Sequence, residues 1–572
     1  MGQQWREEKL EADVLVVGGG IAGCMAAIRA SEMGAKVLLM EKGNTRRSGC
    51  AATGIDHCWC YIPKIHEGQC TMEEMVEDHA SYSDNFVFKE LIRVIVENSY
   101  QRVLDLERFG VPMRDKNGNF RLVKKIHRVP SFIHFAGRDM KVHLTRAARK
   151  AGVRILNRVM ATDLIVKDGE VAGCVGIGTR SREMVMVRTN NVVVTTGSVF
   201  RLYRNPYGML FNLSHAPSET GDGRAMALRA GAALINMEFT TMQTGPKNFE
   251  RCGRGTYIPG IIRDGRGRPL GESAAKSTGE SMNSPTGSWA VGALDRSVES
   301  PIGFMRALQE GRGPIYMDCT GNTKEQIEYI KWALRNEGNT VFLKYLEEEG
   351  LDLGKDMIEF AVYEPKLSAG NSGLYINTKC ETTLPGLYAA GDAIGGVKRA
   401  VCPGALTLGW RAGEQAAERS RFGSMADLDL AGQEVVRERR DIIEAFAGRS
   451  SGAPWQEGQL ALQNIMDYYC GMVRSETMLA AGLDRLVRLR KRILDEVFAP
   501  GPHELYRALE VCNLIDIAET IMRAAQNRTE SRLNPGYHFR ADFPTPDDGN
   551  WRTFLAIRRE GDKWKSERIA FE

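Results

Sequence analysis

The sequence predicts an α/β protein built on a parallel sheet of the dinucleotide-binding kind, with a helical region after it. Three observations predict this. A short apolar run near the start ends in a glycine cluster, a second apolar run far downstream ends in Gly-Asp, and the last third shows helical periodicity.

Residues 12–17 are apolar and rich in valine, as a strand covered on both faces must be. Gly18-Gly19-Gly20-Ile21-Ala22-Gly23 follows and has the form G-x-G-x-x-G. Residues 24–33 then read as a helix with small residues toward the sheet, and 36–40 as a second strand ending in Glu41 and Lys42. Gly18 permits a tight turn at angles that other residues resist. Gly20 lets the main chain approach a pyrophosphate, and Gly23 lets the helix lie close on the strand. At Ile21 and Ala22 the helix N-terminus offers unpaired N–H groups and a positive dipole end. Glu41 lies 18 residues after Gly23, where a carboxylate accepts hydrogen bonds from ribose hydroxyls. A lone glycine motif is weak, because any glycine-rich turn resembles it; the whole strand–turn–helix–strand–acid series is specific.

Later segments select the dinucleotide. Residues 191–197 form an apolar strand ending in Thr196-Gly197, after a hairpin-like stretch at 161–178 with its turn at 167–170. Residues 384–392 form another strand, ending in Gly391-Asp392. A glycine-bearing loop then leads to a small-residue helix beginning around Gly404, Ala405 and Leu406. A late Gly-Asp suits the ribityl or pyrophosphate oxygens of FAD, and the helix N-terminus suits the charge that a flavin gains on reduction. A nicotinamide enzyme has no need of this element, so the predicted cofactor is FAD.

Composition sets the outer limits. A chain of 572 residues holds two to four domains. With 76 basic and 72 acidic residues the net charge is only +4, which argues against a nucleic-acid partner. No apolar run approaches 18 residues, so no transmembrane segment is expected. The charged opening lacks a signal core, and Arg6 stands where a myristoylation pattern needs Ser or Thr, so a cytoplasmic location is expected. The twelve cysteines show no C-x-x-C and no zinc or iron–sulfur spacing. Free thiols and no metal site are expected; a redox or ligand role for Cys58 and Cys60 is the minority reading. Any iron–sulfur wire would then lie on another subunit.

Together these segments resemble the succinate dehydrogenase and fumarate reductase flavoprotein family, with the nearest branch that of the adenylylsulfate reductase alpha subunit. The motifs are Gly18 to Gly23, the stretch 46–54 holding Arg47-Ser48-Gly49 and Thr53-Gly54, Thr220-Gly221-Asp222-Gly223, Asn236-Met237-Glu238-Phe239 and Gly391-Asp392. Arg47-Ser48-Gly49 and the closing 534–543 point to the adenylylsulfate branch. The resemblance implies a Rossmann-like FAD-binding domain (1–234 and 376–428) interrupted by an α+β capping domain (235–375). A helical domain (429–535) and a C-terminal extension (536–572) follow. It also implies that Lys42, Val159 and Asp222 line the FAD site, and that the partner is a ferredoxin-like iron–sulfur subunit in a hetero-oligomer.

The departures from the family are informative. Many members hold FAD covalently through a histidine where Ser48 or Gly49 stands here, so non-covalent FAD is expected. The proton-delivering arginine falls at Ser300-Pro301, and two family histidines fall at Gln243 and Asn371. The adenylylsulfate branch's asparagine falls at Trp59. Neither succinate–fumarate chemistry nor adenylylsulfate reduction follows from these residues.

The candidates for chemistry are Arg399 (with Lys398 as rival), Trp59, Gln243 and Asn371. Arg399 lies where a family substrate arginine would, or else is a solvated loop cation. Trp59 stacks on flavin or on an aromatic or acyl substrate, or else packs the core. Cys402 precedes the flavin-facing helix, as a redox thiol or a plain buried one. His134 is a pocket or a structural residue. Arg251, Arg254, Arg263, Arg266 and Arg268 make a basic cap loop suited to steering an anion, or a solvated one. The expected function is a two-electron exchange between FAD and a small anionic or acyl substrate, with electrons passing to or from the iron–sulfur partner. The alternatives are a relay flavoprotein without its own substrate, adenylylsulfate reductase proper, and a self-sufficient flavin reductase or oxidase.

Overall fold

The computed structural model describes residues 5–123, 126–204, 216–241, 244–249, 261–269, 307–308, 310–362, 365–367, 370–422, 430–534 and 536–571. Its centre is a five-stranded parallel sheet in the order Leu387–Ala389, Val192–Val194, Val14–Val17, Val37–Glu41, Arg154–Asn157. The first two expected strands are Val14–Val17 and Val37–Glu41, and every residue in them is buried. The helix expected at 24–33 starts earlier, at Ile21, and runs to Glu32.

That helix packs against the late helix Val401–Ser420 with almost no gap. A Cβ at Gly409 would lie 2.5 Å from the Ala22 carbonyl oxygen, and one at Gly413 would lie 2.1 Å from that of Ala26. Two distant segments are thereby locked side by side under the sheet.

The expected hairpin is present as Val159–Lys167 and Glu170–Gly178. Its two turn residues, Asp168 and Gly169, have φ of 53° and 79°, as a tight primed turn requires. With Glu183–Arg188 and Arg6–Glu11 it forms a four-stranded sheet.

The cap has a sheet of its own, ordered Thr244–Pro246, Ile358–Val362, Ile315–Asp318, Ile261–Arg263 and antiparallel throughout. Helices Lys324–Asn336 and Thr340–Glu348 accompany it. Ile262, Met317, Ile330, Leu334, Phe342 and Phe360 form a core separate from that of the central sheet.

The C-terminal region is helical: Leu430–Ala447, Trp455–Tyr469, Glu476–Glu496 and Pro502–Asn527. The periodic stretch 457–498 is divided between two of these, and Leu486, Leu489 and Ile493 are buried as expected. Pro502–Asn527 turns a polar stripe toward the central domain. Glu510 bonds Lys42 and Arg201, Asn513 bonds Asp222, and Asp516 bonds Arg229. The chain closes with the hairpin Thr553–Glu560 and Lys563–Ala570. It extends a sheet formed with the two short strands Leu234–Ile235 and Gly373–Leu374. Among the described residues no helix is long and apolar enough to cross a membrane. Eleven cysteines are free thiols; Cys252 lies outside the described residues.

Candidate functional site: an FAD cleft

A cleft open to solvent runs across the C-terminal ends of the parallel strands. This is where open α/β sheets bind ligands. Its floor is the glycine turn. Gly18 has φ of 100°, and a Cβ there would lie 2.5 Å from the Thr195 carbonyl oxygen. Gly23 is tighter still: a Cβ would lie 1.8 Å from the Gly18 carbonyl oxygen. Gly20 is the opposite case, because a Cβ there would meet nothing within 4 Å. Its open side faces the cleft, so the turn leaves room for a ligand rather than for packing. Helix Ile21–Glu32 begins at Gly20 with no side-chain cap, so its first N–H groups remain for a phosphate. Lys141, fully buried, donates to the carbonyl oxygens of Gly19 and of Gly20, the latter at 3.2 Å, and fixes the turn from behind.

Glu41 closes one end of the cleft. Its two oxygens accept the N–H groups of Gly19 and Gly43, each at 2.6 Å. Each carboxylate oxygen keeps lone-pair capacity for a ribose hydroxyl. The hydroxyl oxygen of Thr196 is buried without a partner on the cleft wall. Asp392 accepts from Ser198 Oγ at 3.0 Å. The open Gly20, the uncapped helix, the orphan Thr196 hydroxyl and the carboxylate at the strand end are the features an FAD needs.

Of the cofactor residues read from sequence, Gly18, Gly20, Ile21, Ala22, Glu41, Lys42, Gly49, Val159, Thr196, Gly197, Asp222, Gly391, Asp392 and Ala405 line this cleft. Lys42 also has a structural duty: its ammonium sits 2.6 Å from Asp222 and 2.7 Å from Glu510, tying the sheet to the helical region. The others stand behind the wall. Gly23 packs under its helix, Gly404 faces Ala400, and Leu406 is core. Ser48 donates to the Gly19 carbonyl at 3.2 Å, and Arg47 pairs with Asp139 at 2.5 Å near the surface. Thr53 and Gly54 meet the cap. Thr53 donates to the Glu337 carbonyl at 3.1 Å, and a Cβ on Gly54 would lie 2.1 Å from that of Asn336.

Of the four candidates for chemistry, the three described ones, Trp59, Arg399 and Asn371, do not line the cleft. Trp59 is fully buried, packed against the rings of His79 and His127 at 5.1 Å each. Its indole N–H donates to the Arg399 carbonyl at 3.2 Å, so those two do meet. The side chain of Arg399 is exposed and lies over Tyr82, with a backbone φ of 66°. Asn371 is buried against Phe239, with its side-chain oxygen unpartnered. Gln243 lies outside the described residues, as do Ser300 and Pro301. Arg251 and Arg254 do too, whereas Arg263 and Arg268 pair with Asp318 and Asp264. His134, buried, hydrogen-bonds Tyr329 of the cap.

Cys402 lines the cleft with its thiol beside that of Cys58. The hydrogen bond to Cys402, and burial, raise Cys58 well above the ordinary thiol range; burial raises Cys60 likewise. Thiolate chemistry at that pair is therefore disfavoured.

Other wall residues carried no local signal in the sequence. His57 lines the cleft, and its Nδ1 lies 2.5 Å from Asp56, which is buried. Glu337 reaches the cleft from the cap. Glu219 and Cys50 sit together on the wall, the thiol 3.3 Å from the carboxylate. Burial, with the nearby Asp392 charge, lifts Glu219 to about 7 against the Ser198 and Cys50 hydrogen bonds. The one available signal was position: Glu219 directly precedes Thr220-Gly221-Asp222.

Comparisons agree with this geometry. A family model described as FAD binding domain matches residues 13–405, and one described as fumarate reductase flavoprotein C-term matches 459–572. A fumarate reductase (CoM/CoB) subunit from Methanothermobacter marburgensis is 26% identical, over 97% of this chain and 98% of that protein. Among solved structures, adenylylsulfate reductase from Archaeoglobus fulgidus superposes with a TM-score of 0.86 at 22% identity, covering 100% of this chain and 97% of that one. A variant of E. coli quinol fumarate reductase gives 0.82 at 22% identity, over 98% and 97%. At such identity the structural likeness shows the fold: an FAD-binding domain with a cap and a helical C-terminal domain.

Proposed function

This chain belongs to the succinate dehydrogenase and fumarate reductase flavoprotein family, and from that premise we propose that it exchanges two electrons with a small anionic or acyl substrate and trades them with an iron–sulfur partner subunit. The observation that carries the reading is a cleft walled from both sides. The FAD-binding glycines form its floor, and Glu337 of the cap stands opposite with Thr53 bonded to its backbone. A cleft flanked by two domains limits the access of water to the reacting atoms. FAD, when bound, supplies the electron exchange. We read it as non-covalent, because Ser48 and Gly49 offer no imidazole where the family's attachment histidine stands.

The chain's own residues supply orientation and proton handling. With Nδ1 engaged by Asp56, His57 keeps Nε2 to give or take a proton at the cleft wall. Lys366, buried where the cap returns to the FAD-binding domain, places a positive charge close enough to act on Glu219 of the cleft wall, which favours an anion. We read the electrons as passing to or from a partner, in keeping with the absence of a cysteine cluster of iron–sulfur kind among the described residues.

The test uses the FAD-loaded chain, reduced anaerobically by a reduced viologen and mixed with fumarate, adenylyl sulfate or an enoyl thioester. Return of the visible flavin absorbance with one of them supports the substrate class; no return with any sinks it. Acid precipitation should leave all flavin in the supernatant. Iron should co-purify from the native source; full turnover by an iron-free lone chain with a soluble two-electron donor would sink the partner.

A further inference from the structure

One acid on the cleft wall handles no proton in the function proposed above. Glu219 is 5% exposed and lines the cleft. Oε2 accepts the Ser198 N–H at 2.8 Å. The Cys50 thiol lies 3.3 Å from Oε1 and 3.4 Å from Oε2, as a donor to both. The neighbouring Gly197 makes room for this carboxyl: a Cβ there would sit 2.7 Å from Oε2. Ser198 stands between two acids, its N–H toward Glu219 and its Oγ 3.0 Å from Asp392 Oδ2.

Among the described residues no Lys or Arg makes an ion pair with Glu219; its bonds are to Ser198 and Cys50. Asp392 faces it from the strand-end loop, and Arg224, whose hydrogen bonds go to the Asp392 and Ser372 carbonyls, acts on both acids through its charge alone. Lys366 acts on it only at longer range. A buried carboxyl with an acid for a neighbour and no ion-pair partner holds its proton unusually well. Burial, first, and the Asp392 charge place it at about 7, where a small added charge decides whether the proton is on or off.

We propose that Glu219 is a redox-linked proton site of this cleft, taking up one proton when the bound flavin is reduced and releasing it on reoxidation. The inference rests on the reading of the cleft as the FAD site and is independent of the substrate. Its balance is simple. Two electrons come from a low-potential donor such as a reduced viologen and go to the flavin; the proton comes from bulk water and bonds to a Glu219 carboxylate oxygen. No other bond forms or breaks at the residue, and the Cys50 thiol keeps its proton. Glu219 thus offsets inside the wall the negative charge that reduction brings into a site where Glu41 and Asp392 already stand.

The test is an equilibrium redox titration of the FAD-loaded protein across neutral pH, in wild type and in Glu219→Gln. The wild type should take up close to one more proton per two electrons around neutrality than the variant. Redox-difference infrared spectra should show a carboxylic C=O band that shifts on ¹³C-glutamate labelling and disappears in Glu219→Gln. Equal proton uptake in both proteins overturns the proposal. The labelling arm needs only unmutated protein, so it decides even if the variant does not fold; absence of a label-sensitive band there also overturns it. A chain that holds no FAD overturns the cofactor reading and this inference together, whereas a chain that holds FAD without redox-linked protonation overturns this inference alone.

Discussion

Gly20→Ala separates a glycine kept for a ligand from one kept for packing. Gly20 has φ of −67° and ψ of −163°, which alanine adopts without strain. Its Cβ would meet nothing within 4 Å. Replacing glycine at a compatible position stabilises by about 0.4–1 kcal/mol through the unfolded chain. Alanine is a poorer helix cap than glycine, by up to about 1 kcal/mol, so the apoprotein should change by less than about 1 kcal/mol in a urea titration. FAD is where the cost falls. A methyl group forced against a seated ligand costs about 1–3 kcal/mol, so the flavin Kd should rise roughly 5- to 150-fold. Flavin fluorescence during titration of the apoprotein measures it. Gly23→Ala is the contrast: its Cβ would lie 1.8 Å from a carbonyl oxygen, and the apoprotein itself should lose more than about 3 kcal/mol. The reasoning is refuted if Gly20→Ala unfolds the apoprotein while FAD still binds as before.

Three further outcomes are expected. Glu510→Ala leaves Lys42, Arg201 and Arg507 without their shared carboxylate; the loss should be about 3–5 kcal/mol in chemical denaturation, and a loss below about 1 kcal/mol would contradict it. Acid should destabilise in two stages: burial lowers His79 to about 4, so the unfolded state binds its proton first and stability falls as pH drops from about 6.5 toward 4. Burial alone would raise Glu510, but Lys42, Arg201 and Arg507 outweigh it and hold the carboxyl at about 2, so its contribution is present above about pH 4.5 and is lost as pH falls toward 2; a flat urea midpoint between pH 7 and 4 would contradict the first stage. Cys50, half-exposed, should alkylate in the native apoprotein, while Cys58 and Cys60 should react only after unfolding; native labelling of the buried pair, followed by mass spectrometry, would contradict the packing described.

The glycine turn and its place under the cleft were legible because the rules behind them are local. Gly18, Gly20 and Gly23 act within a few residues of themselves, Glu41 ends the next strand, and Asp168-Gly169 makes a turn that only such residues make. Gly391 and Asp392 were readable as a second strand end of the same kind. The wall above the turn follows no such rule. Lys42 lines the cleft as expected, but its partner Glu510 is 468 positions away, on a stripe spaced for one face of a buried helix. Trp59 could be read for stacking from its position, yet two histidines from separate segments, His79 and His127, occupy its surroundings. Glu219 and Cys50 meet 169 positions apart. In each case the deciding partner comes from another part of the chain, and periodicity does not report which distant segment arrives.

The strands Leu234–Ile235 and Gly373–Leu374, where the chain leaves for the cap and returns, pair with each other and then with the closing hairpin through Leu234 and Ile557. Because the stitch is made by a segment far downstream of both strands, the cap has no fixed seat until that segment has emerged. An emerging chain can shape its glycine turn early, but the cap must wait for residues 553–570. Deletion of the hairpin at residues 553–570, far from the cleft in sequence, should therefore behave as a failure of late assembly, with protein that collapses around its parallel sheet and never settles its cap.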